Sequence, residues 1–265
     1  MTAQVLIGTS GYSYTDWVGP FYPEGTKQSD FLKYYAREFW MTELNFTYYR
    51  QPEAPMIRRM ADTVGDKFLF AVKAHKTLTH ETGGNLQQEA SAFISGIEPL
   101  LVTGKLGVVM LQFPYSFHYA DDCRRYLDKL CTTLSELPLA VEFRNIGWQR
   151  DSVYRGLKER KIAVVNVDEP DLPRLLKPGE IVTSPVGYVR FHGRNKENWW
   201  TGDNVTRYDY LYKDEELREW IPRIVRMMSE ANMLMIVFNN HSKGQAIQNA
   251  RRLKEMLAET SGDSD

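Results

Sequence analysis

Short apolar runs recur along this chain, and amphipathic stretches separate them. The runs at 5–9, 41–47, 68–74, 107–113, 139–144, 162–167, 187–192 and 234–238 are rich in Val, Ile, Leu and Phe and predict eight strands. Between them, apolar residues return at helical spacing. Leu32, Tyr35, Ala36 and Phe39 share a face in 31–40, and Met56, Ile57 and Met60 do so in 55–64. Further helices are predicted over 90–101, 123–134, 152–160, 214–230 and 244–257. In 214–230 the stripe is Leu217, Trp220, Ile221, Ile224, Val225 and Met228. The connection after the sixth strand is rich in proline and holds at most a short helix.

Strands alternating with helices in eight evenly spaced units predict an α/β fold of the (β/α)8 barrel kind. An open doubly wound sheet rarely needs so many units. No linker, internal repeat or low-complexity segment interrupts the series, so residues 1–258 are expected to form one domain. Residues 259–265 (ETSGDSD) are expected to be a short acidic tail.

A length of 265 residues suits a single barrel, and 43% hydrophobic content supplies its core. The net charge of -1 gives no overall attraction to nucleic acid or to an anionic membrane, so any anion site must be local. The first residues, MTAQVLIGTSG, do not read as a signal peptide, and no apolar run is long enough for a membrane span. Cys123 and Cys131 lie on one helix face with Leu127, Leu130 and Leu134. Their separation along the axis, about 12 Å, is too great for a disulfide. These readings together point to the cytoplasm.

Polar residues cluster where the predicted strands end. These are Glu43, Asn45 and Thr47 on the second strand, and Lys73 and His75 on the third with His80 beyond. Gln112 follows on the fourth, Glu142 and Arg144 on the fifth, and Asn166 and Asp168 on the sixth. Arg190 and His192 end the seventh, and Asn239, Asn240 and His241 the eighth. In a barrel these ends converge on the face that carries active sites. Two carboxylates beside cations suit acid–base chemistry, so Glu43, Glu142, His192, Lys73 and Asp168 are the catalytic candidates. Asn45, His80, Gln112, Arg144, Arg190, Asn239 and Asn240 are candidates for holding substrate, with Trp199 and Tyr208 as stacking surfaces. Each has a structural alternative: Glu43 and Glu142 can equally tie strands together through Lys73, Arg144 or Arg190.

Two loops are aromatic. Residues 11–23 carry Tyr12, Tyr14, Trp17, Phe21 and Tyr22, and a role in sealing the loop onto the barrel accounts for them best. Residues 194–212 carry Trp199, Trp200, Tyr208, Tyr210 and Tyr212 among Arg194, Lys196 and Arg207, a mixture that suits a sugar ring or a base. Five scattered histidines without HxH or HExxH spacing point to no metal site, and no Walker loop, GxGxxG or GxSxG motif points to a nucleotide cofactor or an esterase elbow. The expected ligand is therefore small and polar, anionic or sugar-like, with hydrolysis, elimination and isomerisation all open. Nucleic-acid or ligand binding without turnover is the alternative.

Seven motifs in order carry a family resemblance: IGTSGYSY (7–14), TELNFTYYRQP (42–52), FAVKAHKTLTH (70–80), KLGVVMLQFPYSF (105–117), AVEFRNIGW (140–148), YVRFHG (188–193) and FNNHSKGQAIQNA (238–250). With these the chain resembles the YecE-like family, domain of unknown function 72, over nearly its whole length. The resemblance implies a TIM barrel and no settled reaction. Its recurring polar positions coincide with Glu43, Asn45, Lys73, His80, Gln112, Glu142, Arg144, Asp168, Arg190, His192 and Asn239. Tyr12, Phe46 and Asn145 depart from the family's usual Trp, Ser and His. The barrel is similar to those of the endonuclease IV and xylose isomerase group, which underlies the suggestion of a nucleic-acid role. That group's metal ligands do not map onto these motifs.

Overall fold

The computed structural model describes residues 3–203 and 205–262. Eight strands close into a parallel barrel in chain order: β1 (Gln4–Ser10), β2 (Met41–Leu44), β3 (Leu69–Lys73), β4 (Leu106–Gln112), β5 (Leu139–Glu142), β6 (Ala163–Asp168), β7 (Val186–Phe191) and β8 (Met233–Phe238). The (β/α)8 architecture expected from the apolar periodicity is the one observed. Closure comes from β1 pairing with β8 over Gln4–Met233 to Thr9–Phe238. It leaves no sheet edge to solvent.

Because side chains alternate along a strand, each strand feeds two cores. Inside the barrel, Leu6, Met41, Ala71, Val108, Met110, Ala140, Val165, Tyr188 and Met235 pack into one cluster. Outside it, residues such as Leu44, Phe70, Val109, Val141, Val189 and Ile236 pack beneath the helices. The inward series continues past the apolar layer into polar groups. Ser10 and Glu43 are register partners, as are Gln112 and Glu142, and Arg190 lies two residues beyond Tyr188.

Several predicted boundaries move, each for a local reason. The second strand stops at Leu44, and Phe46–Tyr49 turns as a single helical turn. The Thr47 hydroxyl donates to the carbonyls of Leu44 and Lys73, so it fastens that turn to β3 instead of pointing into the barrel. The predicted 31–40 helix is only Phe31–Tyr35. The stretch 214–230 is two helices, Asp214–Arg218 and Ile221–Glu230, broken around Trp220 with Pro222 in the first turn of the second. The break leaves Val225 46% exposed, and Met227 takes the buried position instead. The last helix runs Gln245–Gly262, so it continues through residues 259–262 of the expected tail, and residues 263–265 lie outside the described residues.

No helix crosses between β6 and β7 among the described residues. The proline-rich segment there is fastened by side chains: Asn166 exchanges hydrogen bonds with the backbone of Ile181, and Thr183 bridges Val164 N and Ile162 O. Asn166 can do this because Val165 and Val167 face the barrel interior, which turns Asn166 and Asp168 outward. Among the described residues no helix is long and apolar enough to cross a membrane.

Candidate functional site

A cavity of about 580 Å³ opens at the carboxyl ends of the strands. Nine of the proposed residues line it: Asn45, Lys73, His80, Gln112, Arg144, Arg190, Trp199, Tyr208 and Asn239. Four cationic side chains are among the lining groups, Lys73, Arg144, Arg190 and Arg207, and among the described residues no Asp or Glu is. The carboxylates lie one layer deeper.

The deeper layer is organised by Arg190, which is only 1% exposed. Its Nη2 donates to Glu43 Oε1 at 2.7 Å and its Nη1 to Glu142 Oε2 at 2.6 Å, so one guanidinium joins β2 and β5 across the barrel. Glu43 also accepts from the Tyr188 hydroxyl at 2.8 Å and from Ser10 Oγ, which in turn accepts from Asn45 Nδ2. Glu142 Oε1 pairs with Arg144 Nε at 2.7 Å and faces His192 Nε2 at 3.4 Å. The guanidinium groups of Arg144 and Arg190 hold Glu142 well below the usual carboxylate range despite its burial. Glu43 thus pairs with Arg190, not with Lys73 as the adjacent strands suggest. Arg190 Nε has no protein partner among the described residues, and neither has Asn45 Oδ1.

Lys73 is different in kind. Among the described residues its ammonium has no carboxylate in ion-pair range and no hydrogen-bond acceptor; Nζ lies 4.3 Å above the Tyr48 ring. Burial, with Arg190 and Arg144 nearby, outweighs the attraction of Glu142 and Glu43 and lowers its pKa to about 7. His80 is pushed down to about 4 by burial and by the charges of Lys73 and Arg144, so it is a neutral ring at neutral pH.

His192, expected to move protons, is fully buried and does not line the cavity. Burial and the Arg144 charge lower it to about 3. Its Nδ1 lies 3.1 Å from Asn239 Nδ2, so the neutral ring accepts there and turns Nε2 toward Glu142. It is hydrogen-bonded to Asn239, and its Nε2 faces Glu142 without a hydrogen bond. Asp168 is also away from the cavity. On the outward face of β6 it accepts from Arg194 (2.7 and 2.9 Å), Tyr212 (2.7 Å) and the Trp220 indole (2.7 Å). It anchors the 194–212 loop to the barrel wall, together with Gly193, whose positive φ and close approach to Tyr210 exclude a side chain. Asn240 is likewise internal, donating to Tyr210 O and Asn249 Oδ1.

Other groups escaped the sequence reading. Glu169, next to Asp168, is buried behind Arg144, and burial raises it to about 7 even though the Arg144 guanidinium at 3.2 Å and the amide of Leu176 oppose the shift. Tyr48, Tyr49, Tyr115 and Leu175 also line the cavity. Tyr48 and Tyr49 lie just past the predicted 41–47 strand, and the helical turn after Leu44 brings them over the mouth. The rim is aromatic: Tyr14 stacks on His241 at 4.6 Å, and Tyr115 meets Trp200 edge-on at 5.0 Å. Apart from Tyr14, the first aromatic loop seals the barrel, with Trp17 and Tyr22 buried and hydrogen-bonded to His241 O and Tyr12 O. Among the described residues no three His, Cys, Asp or Glu side chains converge as metal ligands.

Residues 6–264 match the family described as protein of unknown function DUF72. A curated relative, UPF0759 protein YunF of Bacillus subtilis strain 168, is 27% identical over 96% of this chain and 94% of its own length. The solved structure of a DUF72 family protein from Thermotoga maritima MSB8 superposes with a TM-score of 0.89 at 40% identity, covering 96% of this chain and 99% of that one. One from Enterococcus faecalis V583 gives 0.86 at 25% identity, covering 96% of each.

Proposed function

The chain belongs to the DUF72 family, and we propose that its barrel mouth takes a small anionic, ring-bearing substrate and acts on it by acid–base chemistry centred on Lys73. The observation that carries this reading is the sorting of charge: cations reach the cavity while Glu43, Glu142 and Glu169 stay behind them. An anion about 4 Å from one such cation gains about 4 kcal/mol at an effective dielectric of 20, before its own desolvation is counted. Trp199 and Tyr208 supply faces for a ring.

In this reading Glu43 and Glu142 are not the acid–base pair. They hold Arg190 and Arg144 in position, and the neutral His192 ring fills the space beside Glu142. Lys73 is the group whose proton affinity suits exchange near neutral pH. A bound anion favours its ammonium form, so binding takes up a proton.

Calorimetric titration with ribose 5-phosphate, inorganic phosphate and ribose tests the proposal. The two phosphates should bind, and Lys73→Met should remove the part of the pH dependence between pH 6 and pH 8 that remains once the second ionisation of the phosphate, at about pH 6 in a monoester, is allowed for. Ribose binding as well as ribose 5-phosphate would overturn it.

The rival, nucleic-acid binding without turnover, draws on Trp200, which is 52% exposed at the lip. It requires a single-stranded oligonucleotide to bind better than a mononucleotide, with affinity falling steeply in salt.

A further inference from the structure

The chain has two lysines with buried or cavity-held ammonium groups, and they are treated in opposite ways. Lys105 is 6% exposed, and its Nζ donates to the carbonyls of Ala61 and Val64 at 2.6 and 2.8 Å. Those carbonyls belong to the end of the helix Ala54–Thr63 and the residue after it, where a cation is favoured. Lys105 is a structural cation. Lys73 has no such acceptor among the described residues, reaches the cavity, and shares its lining with three arginines. An amine that is both desolvated and next to other cations is activated as a nucleophile.

We propose that Lys73 forms an imine with the carbonyl carbon of an anionic aldehyde or ketone whose charged group is held by Arg144, Arg190 and Arg207. This deepens the reading given under the proposed function and rests on it. In the step, the Nζ lone pair forms a C–N bond as the carbonyl π electrons move to oxygen, which takes up a proton while the nitrogen loses one. The resulting carbinolamine expels its hydroxyl, protonated, as water, and the nitrogen lone pair closes the C=N bond. Amine, carbonyl and one proton give iminium and water, and loss of that proton from nitrogen gives the neutral imine, with no change in oxidation state. His80 lies on the cavity wall with its Nδ1 2.9 Å from Thr79 Oγ1, a neutral ring that adds no further positive charge beside the amine, and water in the open cavity carries the proton. The iminium then draws electrons from the adjacent carbon, which suits elimination or isomerisation better than hydrolysis of an ester or glycoside.

The groups that set the charge state of Lys73 are Arg190, Arg144, Glu142 and Glu43, with Tyr48 and His80 beside it. With its pKa at about 7, half of Lys73 is the free amine at pH 7. An ordinary lysine at about 10.4 has roughly one part in 2,500 free. Lys73 should therefore react ahead of surface lysines, by a margin that the bound anion narrows because it favours the ammonium form.

The test uses pyridoxal 5′-phosphate, an aromatic phosphorylated aldehyde, at substoichiometric concentration and pH 7. Sodium borohydride reduces the imine, and peptide mass spectrometry maps it on the wild-type chain. Pyridoxal lacking the phosphate, and inorganic phosphate as competitor, form parallel arms. Lys73 should carry most of the label, phosphate should suppress it, pyridoxal should label at least tenfold less, and Lys105 should stay unmodified. Label spread over surface lysines with Lys73 untouched, while phosphate still binds by calorimetry, overturns the imine and leaves the anion site standing. Equal labelling of Lys73 by both aldehydes, unaffected by phosphate, overturns the anionic substrate class instead.

Discussion

Replacing Arg190 with methionine tests the layer on which the site rests. The substitution keeps much of the aliphatic volume and removes the charge that joins Glu43 to Glu142. Both carboxylates are fully buried, and breaking a buried pair by removing one partner costs about 3–5 kcal/mol, because the other charge is left uncompensated. The two acids are not left alike. Glu142 keeps Arg144 at 2.7 Å, whereas Glu43 keeps only the hydroxyls of Ser10 and Tyr188. The deficit should therefore reside mainly in Glu43, and Glu43→Gln added to Arg190→Met should recover about half of it. At roughly 2–4 °C per kcal/mol for a chain of this size, the single variant should melt about 10 °C lower.

The deficit should also depend on pH. In the wild type the depressed pKa of Glu142 contributes stability that is present above the unfolded value of about 4.3 and is lost as pH falls through the folded value. With Arg190 gone, that depression shrinks, and a carboxylate without a cation takes up a proton more readily. Acidification therefore removes less from the variant than from the wild type, and the two should converge. Urea unfolding at pH 7.5 and at about pH 3.5, below the unfolded carboxylate value of about 4.3, measures both terms through the linear extrapolation of free energy. A variant within about 1 kcal/mol of wild type at pH 7.5 refutes the reasoning, given the cost expected for a broken buried pair. So does a double variant less stable than Arg190→Met.

Two further outcomes follow from the geometry. Asp168→Asn presents an amide to four donors on Arg194, Tyr212 and Trp220, and should cost about 3 kcal/mol and speed proteolysis within 194–212; unchanged cleavage there would show that the loop is anchored elsewhere. His192, lowered to about 3 by burial and Arg144, should show no imidazole titration by nitrogen NMR between pH 8 and pH 5, and a midpoint near 6 would restore it as a proton carrier.

The polar strand ends were legible because a tight parallel barrel leaves one face where inward-pointing residues pass out of the apolar layer. Lys73, Gln112 and Arg190 reach the cavity for that reason. At β6, AVVNVD is apolar on both faces around one asparagine, and the alternation does not reveal its phase. There the outward turn of Asp168 converts an apparent catalytic acid into the anchor of a loop. After Leu44 the backbone leaves the strand, and Tyr48 becomes a wall of the cavity.

The order of eight strands, the barrel they close and most of the charged residues at its mouth follow from local patterning, because strands buried on both faces read as short apolar runs and the helices between them as amphipathic stripes. The pairing of those charges does not. Whether Glu43 meets Lys73 or Arg190 depends on side-chain reach across the barrel interior, a contact spanning 147 positions in the chain. That choice places the carboxylates beneath and the cations above, and it leaves Lys73 without a counter-ion in ion-pair range among the described residues. Only the closed barrel brings those groups close enough for their charges and desolvation to decide which of them faces a ligand.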